Sequence, residues 1–185
     1  MDFREIACYR SVTGVPPMFL LSICQWLDST RLSAVLRESN WLFPTLDTTH
    51  TLGIVLVAGT IMLVDLRLLG LALRSVPVAE LVPRIVPWTL WGFGLMFVTG
   101  ALLFSSEAVK LYHSPAFRIK MVLLALAGLN ALIFHRTIYR DVNNWDPVSV
   151  VPARARLAGL LSLAFWIAII AAGRAIAYGP GYDLG

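Results

Sequence analysis

Four long runs of apolar residues divide the chain, and polar residues, glycine or proline bound each of them. The runs extend over about residues 50–73, 88–109, 117–139 and 157–177. A helix needs about 20 residues to cross the hydrocarbon core of a bilayer. Only helices and closed β-barrels cross a bilayer, because an unpaired backbone group in lipid costs several kcal/mol. The runs lack the alternation of apolar and polar residues that is typical of barrel strands. The pattern therefore predicts four membrane-spanning helices.

A weaker apolar segment, FLLSICQWLDSTRLSAVLRES (residues 19–39), precedes the first run. Its apolar residues recur at helical spacing, but Asp28 and Arg31 interrupt them, which favours an amphipathic helix lying in the membrane interface. The alternative is a further span over residues 17–27, which is too short. The prediction is an all-α integral membrane four-helix bundle in three parts: residues 1–45 with the interfacial helix, residues 46–178 with the four spans, and a C-terminal tail at residues 179–185.

The composition agrees with a membrane protein. Of the 185 residues 58% are hydrophobic and only 14% are charged, with a mean hydropathy of +0.75, whereas about a quarter of a soluble domain is charged. The net charge of +4 comes from dispersed arginines, which favours contact with anionic lipid and not with nucleic acid. Cys8 and Cys24 form neither a zinc-ribbon nor a c-type haem motif, so both are predicted to be ordinary apolar side chains.

The basic residues near the span ends give a weak orientation signal. Seven arginines lie on the side of the connections at residues 66–87 and 136–156, against six basic residues on the other side. The positive-inside rule then places both termini outside, which in a bacterial inner membrane is the periplasm. No cleavable signal is evident, so the first span is predicted to act as its own insertion signal.

Few ionisable residues fall inside the spans, and such residues are functional candidates by default. His50 and Asp65 are 15 residues apart in the first span, and Lys120 and His135 are 15 residues apart in the third. Because these two spans run in the same direction, His50 and Lys120 are predicted to form one layer, with Asp65 and His135 in another roughly 22 Å away. If the two spans are neighbours, their shared face is a natural place for a cofactor or a proton path.

His50 is the candidate cofactor ligand. It follows Thr48 and Thr49, which can cap the first span, so His50 is not needed for capping. Imidazole is the usual ligand of b-type haem iron in helical bundles. Gly53, one turn along, would leave room for a flat macrocycle, although small residues also let membrane helices pack closely.

The second haem ligand has two candidates, His113 in the loop after the second span and Lys120 at the start of the third. Lys120 has an alternative role, because its ammonium group can extend to the headgroups. Asp65 can form a structural ion pair with Arg67, Arg136 or His135 instead of handling protons. His135 can also satisfy carbonyls at a helix end.

Other chemistry is not indicated, because the sequence contains none of the common phosphate-binding, zinc-protease or nucleophile motifs. The fourth span has no ionisable residue in LAGLLSLAFWIAIIAAG and is predicted to form a bundle wall or a subunit contact. Glu107 and Lys110 are spaced for an i,i+3 ion pair.

Two stretches, RESNWLFPTLDTTHTLGIVLVAGTIMLVDLRLLG and SPAFRIKMVLLALAGLNALIFHR, resemble a family of bacterial inner-membrane proteins of unknown function over roughly residues 20–178. More remotely, the pattern is similar to the CopD-like and HemJ-like membrane families. The similarity to those families implies haem b or copper handling, with His50, Lys120 and His135 in the corresponding places. The HemJ-like pattern has tryptophan and histidine before the lysine, where this chain has Phe-Arg-Ile at residues 117–119, which argues against protoporphyrinogen oxidation. The scattered methionines argue against copper import.

Three functions follow as hypotheses. The first is a b-type haem protein that exchanges electrons with quinone or with a partner redox subunit, with the lipid bilayer as its solvent. The second is a subunit of a larger membrane complex that holds no cofactor. The third is a small-solute or metal-ion permease, although four spans are few for a pathway.

Overall fold

The chain folds into helices throughout the part that the structure describes. The computed structural model describes residues 18–145 and 151–178, so the predicted tail, Cys8 and the proline at position 147 lie outside it. The helices are α1 (Met18–Asp28), α2 (Arg31–Glu38), α3 (Leu42–Leu69), α4 (Val78–Ser106), α5 (Ala108–His113), α6 (Pro115–Ile133), α7 (Val142–Trp145) and α8 (Ala153–Tyr178), with a π-helical turn (Phe134–Ile138) and a 3₁₀ turn (Tyr139–Asp141) after α6.

Four of these helices are long and apolar enough to cross a membrane, which confirms the predicted all-α four-span fold. The spans are Leu42–Leu69, Val78–Ser106, Pro115–Asn144 and Ala153–Ile176. No more than 28% of the most apolar window of any span is buried inside the protein. Such a large exposed apolar surface requires lipid around the bundle, because monomers in water rarely expose comparable patches.

The predicted helix starts were wrong for the first two spans. The first span begins at Leu42, so Thr48 and Thr49 lie inside α3 and do not cap it. The Thr49 hydroxyl instead donates to the Thr45 carbonyl at 2.7 Å. The second span begins at Val78 and not near residue 88, so Pro87 lies inside α4 as the tenth of its 29 residues. The carbonyl that Pro87 leaves unpaired is that of Pro83, one turn nearer the membrane surface, where water can satisfy it.

The N-terminal segment is two helices and not the single amphipathic helix that was predicted. Thr30 separates them, because its side chain accepts a hydrogen bond from the Ser33 amide and so caps α2. Arg37 on α2 pairs with Asp28 at 2.9 Å, which holds the two helices together. The Ser33 hydroxyl donates to the Ser106 carbonyl, which attaches α2 to the end of α4.

The spans are arranged in the order α4, α3, α8, α6. Extensive packing joins α3 to α4 and to α8, and α8 to α6. The predicted bundle wall, α8, therefore lies between the first and third spans, and Gly159 lets it approach α3 closely, since a Cβ there would lie 3.3 Å from the Asp65 carbonyl oxygen. Neither α3 with α6 nor α4 with α6 is among the extensively packed pairs of the described residues.

Candidate functional site

The His50 side chain lies in the seam between α3 and α4. Its Nδ1 is 2.9 Å from the Thr99 hydroxyl oxygen, and its Cε1 would lie 3.1 Å from a Cβ on Gly100. His50 is the ninth residue of α3 and half-buried, so it does not belong to the first turn as the sequence pattern predicted. A glycine at position 100 is what allows the imidazole to fit against α4.

The hydrogen bond between His50 Nδ1 and the Thr99 hydroxyl suits either neutral tautomer of the imidazole. The Thr99 hydroxyl oxygen is also 2.7 Å from the Leu95 carbonyl oxygen, and when the hydroxyl donates there, its oxygen accepts from His50 Nδ1–H. In that tautomer Nε2 keeps its lone pair. A histidine held in this way through Nδ1 presents Nε2 to a proton, a hydrogen-bond donor or a metal ion.

Lys120 and Asp47 complete a polar cluster around His50. The charges of Lys120 and Asp47 both act on the His50 ring, which places the three side chains near one another. The Lys120 Nζ is 3.8 Å from the position of a Cβ on Gly173, so this side chain extends toward α8. His50 and Lys120 therefore lie together at one end of the bundle, as their spacing predicted.

The space beside Gly53 is filled by a neighbouring helix. A Cβ at this position would lie 2.8 Å from the Met96 Cγ, because α4 packs directly over the glycine. Met96 thus occupies the room that the sequence offered to a haem macrocycle, and Gly53 serves close helix packing. Within residues 18–145 and 151–178, no three histidine, cysteine or carboxylate side chains are grouped to hold a metal ion.

His113 is the last residue of α5 and not part of a loop. Its side chain is exposed, and its ring packs edge-on against the Tyr112 ring with the centroids 5.3 Å apart. Its role as a haem ligand stays a prediction, as do the roles of His50 and Lys120.

A cavity of about 310 Å³ lies at the other end of the bundle. All four spans contribute to it, and it occupies the space between α4 and α6. Leu90, Gly128 and Ala131 are exposed at its rim, whereas Trp166 and Phe134 are buried in its wall. In a bilayer the exposed rim faces acyl chains, so the cavity opens sideways into lipid.

Asp65 is the buried polar group of this cavity. Its side chain is 4% exposed, and its Oδ2 atom has no hydrogen-bond partner among the described residues. The Ser162 side chain lies within hydrogen-bonding reach of the carboxyl group. Among the ion pairs of the described residues, none joins Asp65 to Arg67, Arg136 or His135, the predicted partners. Arg67 instead donates from Nε to the Val76 carbonyl at 2.6 Å.

Further polar side chains line the same cavity. The Asn130 amide donates to the Ala158 carbonyl at 2.9 Å, which joins α6 to α8. The Thr89 hydroxyl is 2.9 Å from the Thr60 hydroxyl and joins α4 to α3. These hydrogen bonds use donors of the wall, and the Asp65 Oδ2 atom is a buried acceptor without a hydrogen-bond partner among the described residues.

His135 lines the cavity from its exposed rim, so the structure brings it to the same end as Asp65. It lies in the π-helical turn, where its ring packs edge-on against the rings of Phe134 and Tyr139. A π-helical turn adds one residue to the helical repeat and often occurs at functional sites. Arg136, next in the chain, is exposed and does not line the cavity.

Sequence reasoning identified the ionisable groups but missed the neutral polar side chains that lie near them. Thr99, Asn130, Ser162 and Thr89 all lie inside apolar spans, and a polar residue there is itself a signal. Their positions follow from which helix faces which, and a single sequence does not contain that information.

Comparison with known proteins supports a family assignment. No curated protein and no solved structure matches the chain. A family of unknown function, DUF6644, matches residues 24–179. This match covers all four spans and both clusters of polar side chains described above, and the chain therefore belongs to the DUF6644 family.

Proposed function

We propose that this protein binds a lipid-soluble carrier of the quinone type, preferentially in its reduced quinol form, in the cavity between α4 and α6. The observation that supports this most is the buried Asp65 Oδ2 atom, which has no partner among the described residues and lies in the wall of an otherwise apolar cavity. Ligand sites of this kind combine an apolar lining with a few polar groups that orient the ligand.

The lining suits an aromatic ring. The rings of Phe93 and Trp166 are tilted by 55° with their centroids 6.1 Å apart, and Phe134 lies in the same wall. Aromatic side chains pack favourably against a planar ring in offset or edge-to-face arrangements. The cavity volume of about 310 Å³ is at the lower end of the range for ligand pockets, which fits one ring and not a haem.

The depth of Asp65 suits a polar head on an apolar tail. Asp65 lies about 14 Å along α3 from the middle of that helix, close to the edge of a hydrocarbon core whose half-thickness is about 15 Å. A ring that reaches Asp65 through the lateral opening leaves its tail among the acyl chains.

The free hydrogen-bonding capacity favours the reduced ligand. A carboxylate oxygen only accepts hydrogen bonds, and a quinol hydroxyl donates one whereas a quinone carbonyl does not. Leaving a buried acceptor unpaired costs about 1–3 kcal/mol, so quinol is expected to bind about tenfold or more tightly than quinone.

A matched pair of glycine variants tests the location. Gly128 lines the cavity and Gly94 does not, yet a Cβ on either residue would meet no atom within 4 Å. Gly128→Leu and Gly94→Leu therefore both remove the destabilisation that glycine causes within a helix, but only Gly128→Leu fills the cavity. We expect Gly128→Leu to weaken decylubiquinol binding at least tenfold and Gly94→Leu to leave it unchanged.

The measurement is retention of decylubiquinol by tagged protein in nanodiscs, with empty nanodiscs subtracted and ligand quantified by chromatography. Asp65→Asn is expected to remove the preference for decylubiquinol over decylubiquinone, because an amide can donate as well as accept. Equal retention by both leucine variants and the unchanged protein would place the ligand elsewhere and refute the proposal.

A second candidate is the haem b function of His50, supported by the contact of Nδ1 with Thr99, which suits the tautomer with an unprotonated Nε2. Nε2 would hold the iron, Thr99 would orient the ring, and Lys120 or His113 would be the second ligand. The packing of Met96 over Gly53 argues against a macrocycle on that side. A dithionite-reduced minus oxidised spectrum of the purified protein beside His50→Ala tests it, since a haem on His50 gives a sharp α-band that the variant lacks.

A further inference from the structure

A second cleft lies where α3 ends and α8 begins. It has a volume of about 560 Å³ and shares no described lining residue with the cavity at Asp65. The residues that line it are Arg67, Leu69, Gly70, Arg74, Val151 and Arg156. Three of these six described lining residues are arginines, and arginine side chains favour anions.

The backbone turn after α3 fixes two of the arginines. Gly70 ends the helix in the left-handed region, with a φ of 71°, and its amide donates to the Arg67 carbonyl. Arg74 donates from Nε to the Gly70 carbonyl, and Arg67 donates from Nε to the Val76 carbonyl. Both side chains are thus oriented before any ligand arrives, which lowers the entropy cost of binding.

The burial of the arginines differs in a way that suits an anion site. Arg67 is 6% exposed and forms the base, whereas Arg74 and Arg156 are exposed at the mouth. Arg156 lies in the first turn of α8, where the helix dipole also favours negative charge. A planar guanidinium group binds phosphate oxygens with two parallel hydrogen bonds.

The height of the cleft in the membrane points to the source of the anion. The first span ends at Leu69, which lines the cleft, and the fourth begins at Ala153, within three residues of Val151 and Arg156. The cleft therefore lies at the level of the lipid headgroups. Basic pockets between spanning helices at this level bind anionic phospholipid heads.

We propose that the cleft of Arg67, Arg74 and Arg156 is a binding site for the phosphate group of an anionic phospholipid. This site is independent of the quinol cavity, because the two share no lining residue. An anionic lipid held there links the end of α3 to the beginning of α8.

The test compares two double variants of equal charge. Arg74→Gln with Arg156→Gln removes both arginines at the mouth and leaves the buried Arg67 in place. Arg84→Gln with Arg140→Gln removes two exposed arginines outside the cleft, on the same side in the predicted topology. Native mass spectrometry in detergent then measures how much phosphatidylglycerol or phosphatidylcholine each protein retains.

We expect the cleft variant to bind phosphatidylglycerol about 30-fold more weakly than the unchanged protein. Each arginine near a lipid surface contributes a factor of about five to the affinity, and the variant lacks two. The control variant should lose less than threefold, and phosphatidylcholine binding should not change. Equal losses in both double variants would overturn the proposal in favour of a diffuse surface charge. Displacement of the bound lipid by millimolar inorganic phosphate, without selectivity for phosphatidylglycerol, would overturn the lipid assignment.

Discussion

Two glycines of α4, two residues apart, should respond in opposite ways to the same substitution. Gly92 is buried against α3, where a Cβ would lie 2.6 Å from the Val57 Cγ2 and 3.3 Å from two atoms of Leu56. Gly94 has no atom within 4 Å of that position. We expect Gly94→Ala to stabilise the protein and Gly92→Ala to push α3 and α4 apart.

The pair separates packing from helix propensity. Alanine is favoured over glycine within a helix by about 1 kcal/mol, and this gain is common to both variants. Carbon atoms pack at about 3.5–4.0 Å, so a contact of 2.6 Å against the fully buried Val57 forces a shift of about 1 Å. Overpacking of this kind costs about 1–3 kcal/mol, which is also the expected difference between the two variants.

The assay is unfolding by SDS in mixed micelles, with the free energy of unfolding extrapolated to zero SDS. Val57→Ala removes the clashing Cγ2 atom, so combining it with Gly92→Ala should recover most of the loss in a double-mutant cycle. Equal stabilities of Gly92→Ala and Gly94→Ala, or the absence of recovery, would show that α3 and α4 do not meet along this seam.

Three further changes test other parts of the structure. Asp65→Asn should raise the free energy of unfolding by about 1 kcal/mol, because it replaces a buried carboxylate that has an unpartnered oxygen by a neutral amide, which costs less to bury; a lower stability in SDS titration would mean that Asp65 has a partner. Leu73 has a φ of 53°, so Leu73→Asn should raise the melting temperature while Leu71→Asn should not, since asparagine tolerates this region better. Cys24 is buried, which raises the pKa of its thiol. In a Cys8→Ser background, maleimide labelling of Cys24 should therefore be slow in the folded protein. The labelling rate should still increase with pH above about pH 8.5, where an ordinary thiol is half-ionised. Labelling as fast as that of the SDS-unfolded protein would place α1 away from the bundle.

The sequence determines the spans because each must hide its backbone and expose apolar side chains to lipid. The same reasoning predicted the pair of Glu107 and Lys110, confirmed at 3.3 Å, because i,i+3 contacts are local. Helix starts were harder to predict. Pro83 and Pro87 indicated a boundary, but both lie within α4, since the carbonyls that they leave unpaired lie four residues earlier, close enough to the membrane surface for water to satisfy them.

The candidate site was only half predictable for a different reason. The 15-residue spacing placed Asp65 and His135 in one layer, and both line the same cavity. The cavity itself depends on α8 lying between α3 and α6, which leaves α4 and α6 apart. Packing order is set by many weak contacts such as Gly159 against Asp65, and no single residue encodes it.

The lateral opening between α4 and α6 makes the concentration of a ligand in the membrane, and not in water, the relevant one for this protein. The quinol proposed here would reach the cavity from the acyl chains by two-dimensional diffusion, so its occupancy would follow its mole fraction in the membrane and not its concentration in water. Added lipid would then lower occupancy by dilution even when the total amount of ligand is constant. With such a ligand, the occupancy of the cavity would report the composition of the surrounding bilayer.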